Sequence, residues 1–450
     1  MIVAVGVAAL LFIYIGYRNP TAALFAGAVF FHLSFFTNLF AEYDIALSRI
    51  IVFCLFCSCV VRLLAKKDEP FSLEIIGFLL ITFILFAGFS LFYAAEGLFG
   101  ARKFIYIVSI VPVYFIVRQL LGGSSDVRRA FFMLQVQIGA VVAILGSLQF
   151  LSQFTVSKEL VARSMVTLSP FLYGNNFGAL VVRSASWFVH LGGKDYFRAI
   201  SIFPDPHTFA VYLGFVIPPL FAVLLIGKKR NMLYWVGLAG SLLALLFTFS
   251  RGGYLSFFGF LVWFVVFGSY FLRKSRQFVL ISAVFCFCSI LLLFPFGTRL
   301  LQVFNPQERS FADRTAIMAQ GVALWSKNPF LGAGIGNYPY MADHNALYRS
   351  PINAHNTYIE IGVEMGVVGL FLWLLIISIP LLGILLFITR IKRSGEHLEK
   401  APYLFAIAGS FLWFMIGGFF EMTIYWPAIL LLVLAYGAIG LMEITEKSKI

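Results

Sequence analysis

The stretch Asn328-Pro-Phe-Leu-Gly-Ala-Gly-Ile-Gly-Asn337, then Ser350-Pro-Ile-Asn-Ala-His-Asn-Thr-Tyr-Ile-Glu360 and Ile361-Gly-Val-Glu-Met-Gly-Val-Val-Gly-Leu370, decides how the rest of the chain is read. Polar, glycine-rich, loop-like residues run straight into an apolar segment at 366–389, long enough to cross a bilayer. The titratable His355 stands a few residues ahead of that segment. A polar loop that feeds a membrane-length helix leaves its last polar groups at the membrane surface.

The surrounding composition agrees. The chain has 450 residues, 61% hydrophobic and 12% charged, with 53 Phe. A water-soluble domain of this make-up would expose far too much apolar surface, so the expected class is an all-α polytopic membrane protein. We count thirteen apolar segments, at roughly 2–17, 21–40, 47–64, 71–94, 104–121, 130–151, 207–227, 232–249, 254–272, 277–296, 366–389, 402–420 and 424–442. The whole chain, 1–450, reads as one integral membrane domain of 12–13 transmembrane helices. No cleavable signal is expected, because the first apolar run starts without a basic leader. Cys54, Cys57, Cys59, Cys286 and Cys288 all lie inside apolar runs, where they act as small hydrophobic side chains and not as zinc ligands.

The net charge of +13 raises nucleic acid as a partner, and its distribution argues against one. Nineteen of the 33 Lys and Arg fall in one set of alternate loops: Arg18, the stretches 62–67, 118–129, 228–230, 273–276 and 390–400, and Lys447 with Lys449. Short loops rich in cations stay cytoplasmic. The opposite side then carries two long loops, 152–206 and 297–365, expected as caps folded over the bundle. The second should contain a helix at about 310–325, because Arg314, Ile317, Met318, Gly321 and Trp325 recur on one helical face, and Asn328-Pro329 ends it.

Four cationic or titratable residues gather on the long-loop side: Arg198, Arg251, Arg314 and His355. Arg251 interrupts two apolar runs with only Gly252-Gly253 as spacing. An arginine at membrane depth is costly and faces a cavity or an anion, or snorkels to the interface and pairs with lipid phosphate. Arg198 and Arg314 have Asp195, Asp205, Glu308 and Asp313 as alternative salt-bridge partners within their loops. Guanidinium groups converging on one pocket would suit a pyrophosphate leaving group. A neutral histidine at such a pocket takes a proton from a hydroxyl, although His344-Asn345 repeats the dipeptide of His355-Asn356 eleven residues earlier. The run Gly332-Ala-Gly334-Ile-Gly336 follows no strand of a βαβ unit, so it is not read as a nucleotide-binding loop. Asp205, His207, Asp343, His344 and His355 form a rival metal constellation without a standard spacing. A transporter is the rival of another class. It would place ionisable groups near mid-membrane.

Taken together, Arg198 with Phe203-Pro204, Ser250-Arg251-Gly252-Gly253, Arg314 with Trp325, the glycine-rich run to Asn337, and His355-Asn356 with Gly366-Val-Val-Gly-Leu370 resemble the O-antigen ligase and polymerase superfamily, over residues 197–373. The chain departs from that pattern at Ser201, where glycine is expected, and at Asp205-Pro-His207, where Pro-Asn is commoner. The resemblance implies a GT-C-like bundle with a long periplasmic loop, in a bacterial inner membrane. It implies an inverting transfer of a glycan from undecaprenyl pyrophosphate to an acceptor hydroxyl, with no metal and no cofactor. His355 would be the base, and Arg198, Arg251 and Arg314 would hold the pyrophosphate. Gly334, Asn337, Asn356, Tyr358 and Glu360 would line the substrate, with Tyr358 and Glu360 as orienters. Ligation to lipid A–core is the first expectation. Repeat-unit polymerisation and protein O-glycosylation share the donor chemistry.

Overall fold

The computed structural model describes residues 2–33, 35–40, 43–183, 185–226, 231–271, 309–346, 352–424 and 426–445, with short pieces between 279 and 287. The chain is 77% helical, with two small two-stranded sheets among the described residues. Nine described helices are long and apolar enough to cross a membrane, and Val5–Arg18, Pro20–His32 and Met232–Thr248 are shorter apolar helices. The protein is an all-α polytopic membrane protein. The segment expected at 277–296 lies largely outside the described residues.

One expected span is shorter than hydropathy suggested. The run 21–40 is helical only over Pro20–His32, and Phe36–Phe40 then pairs as a strand with Tyr43–Ala46. Phe36, Thr37 and Phe40 favour a pleated surface as readily as they favour lipid, so hydropathy alone cannot separate the two. Helix starts follow side-chain caps. Asn19, Ser124, Asp205, Asn231 and Asn356 each accept backbone amides of the first turn that follows them.

Burial separates a central layer from a rim. The apolar windows of Pro206–Leu225 and Pro427–Thr445 are 94% and 89% buried, against 39% for Leu47–Leu64 and Ile75–Tyr93. The rim helices expose Phe53, Phe78 and Leu85, which fits a surface facing lipid. At one end of the bundle, cations meet acids across helix termini. Arg62 binds Asp68, Arg118 binds Glu74, and Arg128 and Lys400 both reach Glu443. These are the cation-rich loops of the sequence.

The decisive irregularity is in Thr357–Ser394, which is two helices joined at Gly366, where φ is 62° and ψ is −165°. The break strands two carbonyls and two amides that helix geometry would have paired. Residues 329–334 fill the gap. Ala333 N donates to Val363 O at 2.8 Å and Gly334 N to Glu364 O at 2.9 Å. In return Val367 N donates to Pro329 O at 2.8 Å and Val368 N to Phe330 O at 3.4 Å. A Cβ on Gly366 would collide with the Phe330 carbonyl, and one on Gly334, at φ 93°, would lie 2.5 Å from Ala94 Cα. The glycine-rich run is therefore a backbone insert that braces a broken membrane helix.

Charges lock the brace. Lys103 Nζ lies 2.5 Å from Glu364 Oε2 and 3.5 Å from Glu360 Oε1, all nearly inaccessible. The second oxygens of these acids accept from Tyr338 N and Ala354 N. Full pairing makes such burial tolerable. Segments counted from 104 and 366 leave these three residues outside the membrane helices, whereas the actual helices begin at Gly97 and Thr357. The loop helix Arg309–Trp325 packs on the Thr357 helix: its Trp325 ring covers Gly362 and Ile359 fits against Gly321. That is the face expected from its periodicity.

Candidate functional site

His355 stands where the loop becomes the Thr357 helix. Its backbone is left-handed, φ 46°, and its N–H is held by Asn353 Oδ1 at 2.9 Å. Asn356 then caps the helix through Tyr358 N at 2.9 Å and Ile359 N at 3.0 Å. The cap also binds the turn after helix Ala401–Gly417. Asn356 Nδ2 donates to Phe419 O, Thr357 N to Gly418 O, and Thr357 Oγ1 to Glu421 O at 2.8 Å. Tyr358 closes the contact with a hydroxyl bond to Met415 O and a ring against Phe419.

This stitching delivers Glu421, whose Oε1 lies 3.2 Å from His355 Nδ1. The side chains are 12% and 28% exposed, so the pair is partly shielded from water. Burial opposes the charged imidazole, but the Glu421 charge and hydrogen bond outweigh it and raise the His355 pKa above 6.5. Burial likewise opposes the Glu421 carboxylate, yet His355 and Arg314 bring it down to about 2. An ionised carboxylate can only accept, so His355 Nδ1 carries the proton and Nε2 is left as the basic nitrogen.

Glu421 also lines a small cleft with His207, Val211, Ser250, Gly252, Gly253, Arg314, Gly417 and Phe420. Arg314 enters from the loop helix, where Nη1 donates to Phe420 O at 3.4 Å and Nη2 to His207 Nε2 at 3.3 Å. Ser250 belongs to the tight turn between Met232–Thr248 and Arg251–Phe271. Phe249, at φ 48°, ends the first helix there. Gly252 is required because a Cβ would lie 2.6 Å from Phe420 Cβ.

The expected site residues thus divide by position. Arg314 lines the cleft, and Arg251 stands half-buried at the turn that forms one wall. Arg198 is buried beneath that turn. Its guanidinium donates to Thr248 O at 2.7 Å, Phe249 O at 3.1 Å and Ser186 O at 2.9 Å, capping the preceding helix end. Asn356 and Tyr358 hold His355 in place. Gly334, Asn337 and Glu360 lie in the brace, where Asn337 Oδ1 accepts from Glu96 N at 2.5 Å. Ser201, the departure from the family pattern, sits at φ 52°, the left-handed region where glycine is unstrained, and Gln149 holds its amide at 2.8 Å.

The sequence reading missed Glu421. A signal was present: it is the only charged residue from 401 to 442, between the last two apolar runs. Of the metal constellation, Asp205 spends its oxygens on His207 N, Thr208 N and Thr208 Oγ1, and His344 packs edge-on against Tyr340. Among the described residues no three His, Cys, Asp or Glu side chains stand together as metal ligands would.

Residues 236–374 match the family model for O-antigen ligase, a window that includes Arg251, Arg314, Asn337, His355 and Glu360. No curated protein matches the chain. Over residues 236–374 the chain is thus similar to the O-antigen ligases, and this match supports the likeness to the O-antigen ligase and polymerase superfamily.

Proposed function

We propose that the cleft transfers a glycan from undecaprenyl pyrophosphate to an acceptor hydroxyl at the periplasmic face of a bacterial inner membrane. The observation that carries this reading is the His355–Glu421 pair beside a cleft lined by Arg314 and by the turn that follows Ser250. Glu421 fixes the Nδ1–H tautomer and raises the basicity of Nε2. Nε2 takes the acceptor proton as the hydroxyl oxygen bonds to the anomeric carbon and the bond to the pyrophosphate oxygen breaks, with inversion. Arg251 and Arg314 meet the charge that develops on the leaving group, the term that contributes most when donors are held in advance. Arg198 acts through the turn that carries Arg251.

Ligation to lipid A–core is the preferred outcome, because the matched family model is that of an O-antigen ligase. The test is deletion of the gene followed by a surface-polysaccharide gel, with His355→Ala as complementing allele. Lost attachment with retained lipid-linked polymer supports ligation. Accumulation of single repeats would replace it with polymerisation, and an unglycosylated protein band with protein glycosylation. Normal polysaccharide on all three counts would sink the reading.

A further inference from the structure

Ser250 is 2% exposed and is the only hydroxyl side chain among the described residues lining the cleft. Its Oγ lies 3.1 Å from His207 Nδ1 and 3.3 Å from Gly253 N. The other His207 nitrogen faces Arg314 Nη2 at 3.3 Å. A guanidinium only donates, so His207 Nε2 must be an acceptor and the ring proton must sit on Nδ1. His207 Nδ1–H therefore donates to Ser250 Oγ, and so does Gly253 N–H. An oxygen that already accepts two bonds has its own hydrogen left to give. The one carboxylate lining the cleft, Glu421, is engaged by His355 Nδ1 and Met422 N, and the remaining polar side chains of the lining are Arg314 and His207, so the natural receiver of the Ser250 hydrogen is an anionic oxygen entering the cleft.

We infer that Ser250 is a substrate-binding donor to a pyrophosphate oxygen, and that His207 is the positioning residue that aims it. The inference rests on the proposed pyrophosphate donor and adds two residues to it. Arg314, His207 and Ser250 form one chain of donors running from the loop helix to the turn between Met232–Thr248 and Arg251–Phe271. Rotating the ring tautomer would set two donors against each other at Arg314, so the chain has one direction. Hydrogen bonds that end on a charged group contribute enough for a loss of about 10-fold to 100-fold in affinity.

The test is titration calorimetry of the detergent-purified full chain with geranyl pyrophosphate, with thermal unfolding as the control for folding. Ser250→Ala should weaken binding about 10-fold or more, and Ser250→Thr, which restores a hydroxyl, should recover it. His207→Leu should match Ser250→Ala, while His207→Gln, which keeps one donor and one acceptor, should bind nearly as wild type. The double variant Ser250→Ala/His207→Leu should bind no worse than either single variant, a coupling that a merely structural histidine would not produce. Wild-type affinity in Ser250→Ala, or losses that add in the double variant, would overturn the inference and leave the proposed function standing. Should His207→Leu fail to fold, the contrast of Ser250→Ala with Ser250→Thr decides. No binding of geranyl pyrophosphate by the wild type would overturn the proposed donor, and this inference with it.

Discussion

His355 Nδ1 lies 3.2 Å from Glu421 Oε1, although 66 residues and a membrane-crossing hairpin separate them in the chain. The two are neighbours because Thr357 and Asn356 stitch the start of one helix to the turn that ends another. His355→Ala should insert normally and transfer glycan at least ~100-fold more slowly, the scale of a positioned base. His344→Ala should be mild, since His344 packs on Tyr340 outside the cleft lining. A reversed pattern in an in vitro transfer assay would mean the wrong histidine has been chosen.

The pair also fixes a pH dependence. The His355 pKa is raised in the folded protein, so its contribution to stability is complete below 6.5 and is lost as pH rises through the raised value. Glu421 goes from 4.5 to about 2, so its contribution is present above 4.5 and lost as pH falls toward 2. Activity needs the unprotonated base. In Glu421→Gln the acid limb of the rate profile should move to lower pH while the plateau rate falls, because burial and the Arg314 charge then act on His355 with only the smaller pull of Asp205 against them. An unmoved acid limb would show that Glu421 does not tune His355.

Arg251→Lys keeps a charge and loses the planar fork. We expect it to impair transfer, and Arg251→Ala to impair it further, at equal protein level. Full activity in the lysine variant would reduce Arg251 to a point charge or a snorkelling residue.

The brace should be a matter of stability. Lys103→Met leaves Glu360 and Glu364 without their cation, and breaking a buried pair from one side costs about 3–5 kcal/mol. Folded yield in detergent should drop sharply, and Lys103→Met combined with Glu364→Gln should recover part of it. Gly334→Ala should be comparably damaging, because a Cβ meets Ala94 at a left-handed φ. Wild-type melting of either single variant would refute the structural role of the insert.

Orientation is tested by labelling. In a background lacking the native cysteines, Lys194→Cys should react with an impermeant maleimide in spheroplasts. Lys67→Cys should react only after permeabilisation. Both positions are exposed. The reverse pattern would put the site in the cytoplasm and remove the proposed donor.

By itself the sequence determined the class and most of the spans, and it gave the expectation of which side carries the site. Hydropathy and loop cations act over whole segments, and a segment of about 20 apolar residues is stable only in lipid. It also determined the face of the loop helix and singled out His355, Arg251 and Arg314, because local spacing and a charge beside an apolar run are visible in one dimension. Tertiary structure decided what each polar residue touches. Gly334 and Asn337 looked like parts of a ligand loop, and packing made them the filling of a broken helix. Arg198 looked like a ligand arm, and three carbonyls within reach made it a cap. Glu421 stood alone between two apolar runs, and only the contact of two distant helix ends set it against His355. Hydrogen bonds and charge pairs act over about 3 Å, so which polar groups meet is fixed by how the helices pack, and that distance is absent from a linear sequence.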